Sequence, residues 1–454
     1  MDWGTLGAAA LGIAREFALL ATTLFLIGGV DDLAVDLLWL WRGRGPKRNR
    51  RAPQTNVSRI VVALPAWRED ELIFATAAAM ARSWSGDDDV RIVIGVYAND
   101  PSTLAAARRA EGADARISVA VNPRAGPTTK GDNLGSIWAH VERGLDGFAP
   151  DALLIHDAED RVQAEELMAV RAALAQAHYA QLPVVPDLLP SWVANHYADE
   201  FAEAHAKELP LRAALGVALP TAGAGCAFRV EAIAALSELR AGAPFEPGSL
   251  TEDYEAGVRL SAKGLAGAMV DARDASGRRI AVHAPFPTQL GAALRQKTRW
   301  VRGVSLDGWD RLGWPVPSDS SFLRRWLWRW MLWRDRRALL AALALFLSYT
   351  AVALWAIGTA IEAKQAAQVS SALEWAVLAT GAMLVWRLVL RVGFTARIYG
   401  WRVGIAALPR TIGANVILIC VAARAFLGYR RGRAGAPLHW DKTDHPQPTL
   451  EAAE

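Results

Sequence analysis

The 454-residue chain holds only two cysteines, Cys226 and Cys420, far apart and in no C-x-x-C spacing. Neither a disulfide framework nor a cysteine-built zinc site fits that count. Net charge is also small, +4, so bulk charge gives no reason to expect a nucleic-acid partner. The N-terminus lacks the basic n-region and small-residue cleavage site of a signal peptide, although an apolar run begins there at once. What is abundant is apolar surface. The chain is 52% hydrophobic with a mean hydropathy of +0.14, high for a soluble protein, yet 21% charged, too much for a bundle of spans alone. A soluble domain plus several membrane segments satisfies both numbers. Nineteen tryptophans are many, and interfacial belts are one reason to carry them.

The first run, roughly Leu6 to Val30, is broken by Arg15 and Glu16 and continues past Asp31-Asp32 into "LAVDLLWLW". It reads as one uncleaved span. Six Lys or Arg follow between Arg42 and Arg51, which makes that flank cytoplasmic and the N-terminus external. Residues 1–52 are therefore the N-terminal helix and its basic flank, and 53–315 a cytoplasmic domain. Residues 316–337 form an amphipathic interfacial segment, which carries "RRWLWRWMLWRDRR" (Arg324–Arg337). Residues 338–430 are spanning or interfacial helices, and 431–454 a tail.

Ala338–Ile361 has 24 residues without a charge, enough at about 1.5 Å each to cross a hydrocarbon core of roughly 30 Å. The link "EAKQAAQVSSALE" is read as external, and Trp375 to about Leu390 returns. Arg391–Leu427 contains Arg397, Arg402, Arg410 and Arg424, and the sequence leaves open whether it spans or lies in the interface. Three spans fit the charge of the flanks and four do not, so about three are expected.

Within the soluble region, "RIVVALPAW", "DVRIVIGVYAND" and "DALLIHDAED" each run apolar and then turn polar. Alanine-rich helical stretches such as Glu71–Arg82 and Thr103–Glu111 lie between them. Strands alternating with helices predict an α/β fold with a mostly parallel sheet. Such sheets bind ligands beyond the carboxyl ends of their strands.

"HDAED" puts Asp157, Glu159 and Asp160 after an apolar strand. Carboxylates two apart on an extended segment point the same way and suit a hard cation such as Mg²⁺ or Mn²⁺; a solvated acidic loop reads the same. "LTEDYEAGVRL" puts Glu252 and Asp253 at a helix start that Thr251 could cap. There they either complement the helix dipole or supply a general base. "RQKTRW" places Gln296, Arg299 and Trp300 at i, i+3 and i+4 on one helical face. Arginine can hold a pyrophosphate, and an indole can stack on a sugar or anchor at a headgroup layer. "GPTTKGDNLG" offers Lys130 and Asp132 in a glycine-bounded turn before a helix, fit for phosphate or a base or simply solvated.

In order, Pro65-Ala66-Trp67, "YAND", "KGDN", "DAED", "TED" and "QKTRW" resemble the motif series of glycosyltransferase family 2. "DAED" resembles its metal-binding DxD and "TED" its catalytic-base motif. "QKTRW" resembles the Q-x-x-R-W signature of processive, membrane-bound polysaccharide synthases. "LPAWRED", "YANDP", "GPTTKGD", "LWRDRR" and "WDKTDH" look more closely like the NfrB-type inner-membrane glycosyltransferases, the phage adsorption group, over nearly the whole chain. Longer members carry a C-terminal cyclic di-GMP-binding domain; this chain ends soon after "WDKTDH", which leaves regulation by that nucleotide in doubt.

The resemblance implies a GT-A fold and an inverting, hexosyl- or N-acetylhexosaminyl-transferring enzyme. Asp253, with Glu252, would serve catalysis. Pro65, Ala66, Asp100, Lys130, Asp132, Asp157 and Arg299 would bind a UDP-linked or other nucleotide-sugar donor. Mg²⁺ or Mn²⁺ would sit on Asp157 and either Glu159 or Asp160. Gln296, Trp300, Gly225 and Cys226 would meet a glycan acceptor, and His205 and Lys207 would lie nearby without assigned roles. Implied partners are the lipid bilayer and outer-membrane or periplasmic export proteins. Two rivals remain: transfer of one sugar to a polyprenyl phosphate, and a non-catalytic export or presentation scaffold.

Overall fold

The computed structural model describes residues 3–42, 57–239, 242–361 and 371–434. The basic flank beyond Arg42, the link from 362 to 370 and the tail with "WDKTDH" lie outside the described residues. The chain divides into two compact units, one of Met1–Arg44 with Arg334–Arg424, the other of Gly45–Trp333 with Ala425–Glu454.

The helix α1 (Trp3–Arg42) opens the first unit. The second is α/β: β1 (Ile60–Pro65), α2 (Ile73–Ser83), β2 (Val90–Tyr97), α3 (Pro101–Ala113), β3 (Ile117–Asn122), α4 (Lys130–Arg143), β4 (Ala152–Ile155) and α5 (Glu166–Leu174) alternate as the sequence predicts. Then come β5 (Tyr179–Gln181), β6 (Val184–Pro186), α6 (Trp192–Glu203), α7 (Leu209–Leu215), β7 (Cys226–Arg229), α8 (Val230–Glu238), α9 (Glu252–Ala262), β8 (Gly267–Met269) and β9 (Val282–Ala284). The last helices of this stretch are α10 (Leu290–Arg302), α11 (Gly308–Leu312) and α12 (Phe322–Arg336).

The sheet order is β3-β2-β1-β4-β7-β5-β8. The first four strands are parallel, with Ile60 opposite both Val90 and Ala152; β7 runs antiparallel to β4 and β5; β8 is parallel to β5. Every residue of β1 is buried. That is expected of a central strand with helices on both faces, which needs apolar side chains everywhere rather than on alternate positions. Ile60, Val62 and Leu64 face a core shared with α2, α3 and α5, whereas Val61 and Ala63 face one shared with α4, α8 and α9. β6 and β9 form a separate parallel pair.

The first unit continues with α13 (Ala338–Ile361), α14 (Ser371–Tyr399) and the greater part of α15 (Trp401–Arg433). Four described helices, α1, α13, α14 and α15, are long and apolar enough to cross a membrane. That is one more than the expected three or so. The segment left open from Arg391 onward breaks at Gly400, whose φ of +86° ends α14 in the left-handed conformation glycine tolerates. Arg397 and Arg402 flank that break; Arg410 and Arg424 lie within the helix that follows, which is nonetheless long and apolar enough to span.

Asp31, Asp32 and Asp36, which interrupted the N-terminal run in sequence, do not interrupt α1. Asp31 and Asp32 pair with Arg334 and Arg337, Asp32 also with Arg387, and Asp36 accepts from Trp386 Nε1 at 2.9 Å. Charges in apolar helices are tolerated when they meet opposite charges inside the bundle. Asp32→Ala removes a carboxylate shared by three guanidinium groups, leaving Arg334 and Arg337 with Asp31, and is expected to cost about 3–5 kcal/mol, read as earlier unfolding of the detergent-solubilised chain. Unchanged unfolding would show that the cluster is incidental.

Candidate active site

The loops after β1 and β4 open into one cleft at the carboxyl ends of these strands. Asp157 follows β4, Glu252 and Asp253 begin α9, and Gln296, Arg299 and Trp300 stand on one face of α10. All six line the cleft, together with Pro65, Lys130, Glu159 and Asp160.

Lys130 begins α4 and donates to Asp157, and also to the Gly223 carbonyl at 3.1 Å. Burial alone would depress its ammonium, but Asp157 and then Glu252 hold it above its ordinary value. The Glu252 carboxyl is pushed up to about 7, first by burial and then by Asp253, against Lys130. Asp253 is raised by burial, again against Lys130. Both acids therefore hold a proton to higher pH than a free carboxyl, and the charge on Asp253 is one cause of the rise at Glu252. Asp253 Oδ1 accepts the Tyr254 N–H at 2.8 Å, and Thr221 Oγ1 donates to the Asp253 main-chain carbonyl at 2.8 Å. Thr251 sits at the cap position of α9, but its side chain makes no cap bond. Among the described residues, Thr251 Oγ1, Gln296 Oε1 and Arg299 Nε are buried without hydrogen-bond partners. A polar ligand in the cleft would relieve that. Trp300 meets Tyr197 edge-on at 5.9 Å and leans toward Phe201 and Phe286, both on the cleft wall.

The acidic motif is not the extended segment the sequence predicts. β4 stops at Ile155, and the Asp160 N–H donates to the Asp157 carbonyl at 3.1 Å, closing a turn. Alternation along a strand therefore no longer aims these acids. Asp160 points inward: its Oδ2 accepts the Asp157 N–H at 2.9 Å and meets His156 Nδ1 at 2.9 Å, while His156 Nε2 meets Glu166 Oε1 at 2.7 Å. Oδ2 is thus committed to His156, whereas Oδ1 is buried without a hydrogen-bond partner among the described residues, and Asp160 stays on the cleft wall. Among the described residues no group of three His, Cys, Asp or Glu could hold a metal ion.

Five other expected residues are off the cleft wall. Asp100 caps α3 and accepts the Arg68 N–H at 2.6 Å. Asp132 accepts from Asn122 at 3.0 Å and pairs with Arg124. Ala66 is buried, its N–H donated to Gly95. Gly225 is packed against Val282 and Leu182, and the Cys226 thiol is buried within β7, which pushes it up. Ala222, Gly223 and Ala224 bring their loop to the cleft instead. His205 and Lys207 stand one layer behind it. His205 stacks on Phe201 at 5.2 Å and is lowered to about 3 by burial and Arg279; Lys207 pairs with Glu203 at 2.6 Å.

His156 and Glu166 were not anticipated, although "HDAED" does place a histidine four residues before Asp160. Burial would lower His156, but Glu166 and Asp160 raise it to about 10. Its ordinary value is 6.5, so the imidazolium contributes stability fully below pH 6.5 and loses it as pH climbs through about 10. His156→Ala leaves buried carboxylates without a counterion and is expected to cost about 3–5 kcal/mol. Denaturant unfolding near neutral pH measures it, and a loss under about 1 kcal/mol would contradict a charged triad.

A nucleotide-sugar-type α/β domain with acids and cations gathered at its strand ends defines a GT-A-like glycosyltransferase. A family model described as glycosyl transferase family group 2 matches residues 152–390, over half of the chain, and the chain belongs to that family. Bacteriophage adsorption protein B of Escherichia coli K12 and bacteriophage N4 adsorption protein B of Escherichia coli O157:H7 are each 28% identical over 481 residues. The alignment covers 96% of this chain and 62% of theirs, so the chain spans less than two thirds of those relatives. A mannosyltransferase from Pyrobaculum calidifontis, solved with GDP-mannose and Mn²⁺, shares the fold with a TM-score of 0.54 at 15% identity, over 92% of this chain and 99% of that one.

Proposed function

We propose that this glycosyltransferase is embedded in a bacterial inner membrane with its catalytic unit in the cytoplasm. It takes a nucleotide-diphosphate sugar, inverts the anomeric centre and extends a surface or secreted polysaccharide processively, a glycan of the kind to which phage adsorb. One observation carries the reading: Asp157, Glu252-Asp253 and Gln296-Arg299-Trp300, from three distant stretches of chain, line one cleft.

Asp253 takes the proton of the acceptor hydroxyl as that oxygen bonds to the anomeric carbon and the bond to the diphosphate breaks. Arg299 and Lys130 present positive charge to the departing diphosphate, and an ordered guanidinium suits that role. Trp300, Phe201 and Phe286 offer apolar ring faces to the acceptor. For a divalent cation, Asp157 with either Glu159 or the unpartnered Oδ1 of Asp160 would fit, all three lining the cleft; one or two carboxylates plus substrate phosphates are what Mg²⁺ commonly uses. When bound, such an ion would act as a Lewis acid on the diphosphate.

The test offers a panel of nucleotide sugars to the full chain in lipid bilayers and reads released nucleoside diphosphate and product size. A ladder or long polymer supports the reading. A single-sugar, solvent-extractable lipid product favours the polyprenyl-phosphate rival. No release from any donor leaves the scaffold. Chelation is expected to weaken nucleoside-diphosphate binding by tenfold or more, about 1.4 kcal/mol, and Asp157→Ala should mimic it. Indifference to both would remove the metal site.

A further inference from the structure

A second hollow in the same unit is walled by Trp314, Trp326, Arg329, Trp330 and Trp333. Four of these come from α12. Its buried side, Trp328, Met331 and Leu332, seats the helix, and Arg212 donates to the Met331 carbonyl at 3.1 Å. Trp326, Arg329, Trp330 and Trp333 recur at i, i+3, i+4 and i+7 on the other side. Trp326 is 53% exposed and its ring stacks with that of Trp330 at 5.4 Å. Phe322, 87% exposed, extends the face. Arg329 is the one charge in the wall, and among the described residues it makes no hydrogen bond or ion pair.

Two features need explaining together. Two exposed indoles, Trp314 and Trp326, beside the half-buried Trp330 and Trp333, mark a surface that meets something apolar, and an indole's apolar body and polar N–H suit the layer between headgroups and acyl chains. An unpartnered guanidinium set among those rings calls for an anion, and phosphate matches its fork. A stacked sugar would use the rings and leave the cation idle. In the chain, the uncharged α13 begins at Ala338, a few residues after Trp333.

We propose that this hollow binds the headgroup of an anionic phospholipid, with Arg329 on the phosphate and Trp326 and Trp330 against the glycerol and upper acyl carbons. The proposal rests on the membrane part of the reading above and not on its chemistry.

The full chain is reconstituted in phosphatidylcholine nanodiscs containing a minor fraction of either phosphatidylglycerol or phosphatidylcholine brominated near the glycerol end. Tryptophan quenching is read, and a Trp326→Phe/Trp330→Phe variant isolates the share of these two rings among the 19 indoles. A basic side chain near a membrane surface favours anionic lipid by about 1 kcal/mol, so that share should respond to phosphatidylglycerol about fivefold more strongly. Arg329→Gln should abolish the preference and Arg329→Lys retain part of it. Equal quenching by both lipids, or a preference that survives Arg329→Gln, overturns the site. So does protection by inorganic phosphate or by a soluble oligosaccharide, which would assign the hollow to a free anion or a glycan. Carbonate-resistant sedimentation with membranes is scored separately: failure there sinks the membrane reading itself.

Discussion

Asp253→Asn is expected to reduce sugar transfer by about 10²–10⁴-fold, the usual worth of a positioned general base, with donor binding nearly unchanged. The substitution is close to isosteric, and its amide oxygen can still accept the Tyr254 N–H that Asp253 Oδ1 accepts at 2.8 Å. The shape is kept, while the capacity to take a proton and the negative charge facing Lys130 and Glu252 are lost. The pair's protons give a second readout. Burial raises Asp253, and burial with Asp253 pushes Glu252 up to about 7. A raised carboxyl stays protonated further up the pH scale, so activity in the parent protein should rise as pH increases through the pair's apparent values. That acid limb should flatten in Asp253→Asn. Retained transfer with an intact limb would move the base to Glu252, and Glu252→Gln would then be the variant that fails.

The sheet was legible because its central strands are near-continuous apolar runs, and β1 buries every one of its residues. The face of α10 was legible because 3.6-residue periodicity fixes Gln296, Arg299 and Trp300 relative to one another. Their convergence with Asp157 and Asp253 could not be read from spacing, since it depends on how β4, α9 and α10 pack; only the family resemblance reached it. The turn at Asp157–Asp160 was missed because the strand ends at Ile155, short of both Asp157 and Glu159, which the alternation argument required on it. Nothing local announces that Asp160 gives one oxygen to His156, whose other nitrogen meets Glu166. Gly225 and Cys226 were expected at the acceptor side, but the loop crosses the cleft at Ala222–Ala224 and has turned into the sheet by Cys226. The fourth apolar helix was obscured by Arg397 and Arg402 beside the Gly400 break and by Arg410 and Arg424 within the helix itself.

Gly223→Ala is expected to lower kcat by about 10²-fold or more, the scale of loss when reacting groups shift by about 1 Å. Gly223 has φ +74°, where an alanine costs about 1–2 kcal/mol. A Cβ there would lie 2.8 Å from Asp253 Oδ2 and 3.5 Å from Lys130 Nζ. Neither neighbour is a loose surface chain: Lys130 is tied to Asp157 and to the Gly223 carbonyl, and Asp253 to Tyr254. Relief therefore displaces the proposed base from the acceptor. Backbone strain alone predicts a different pattern, and Gly225→Ala separates the two. Gly225 also has a positive φ, +63°, but a Cβ there meets Val282 at 2.5 Å and Leu182 at 3.0 Å, apolar side chains away from the carboxylates. That variant should lose stability, by about 1–3 kcal/mol from overpacking beyond the strain, yet keep most of its turnover per folded molecule. Gly223→Ala should do the reverse, with modest destabilisation and a collapse in turnover. If both variants lose activity only in proportion to their unfolding, Asp253 does not need the space beside Gly223, and its place at the reacting hydroxyl is lost with it.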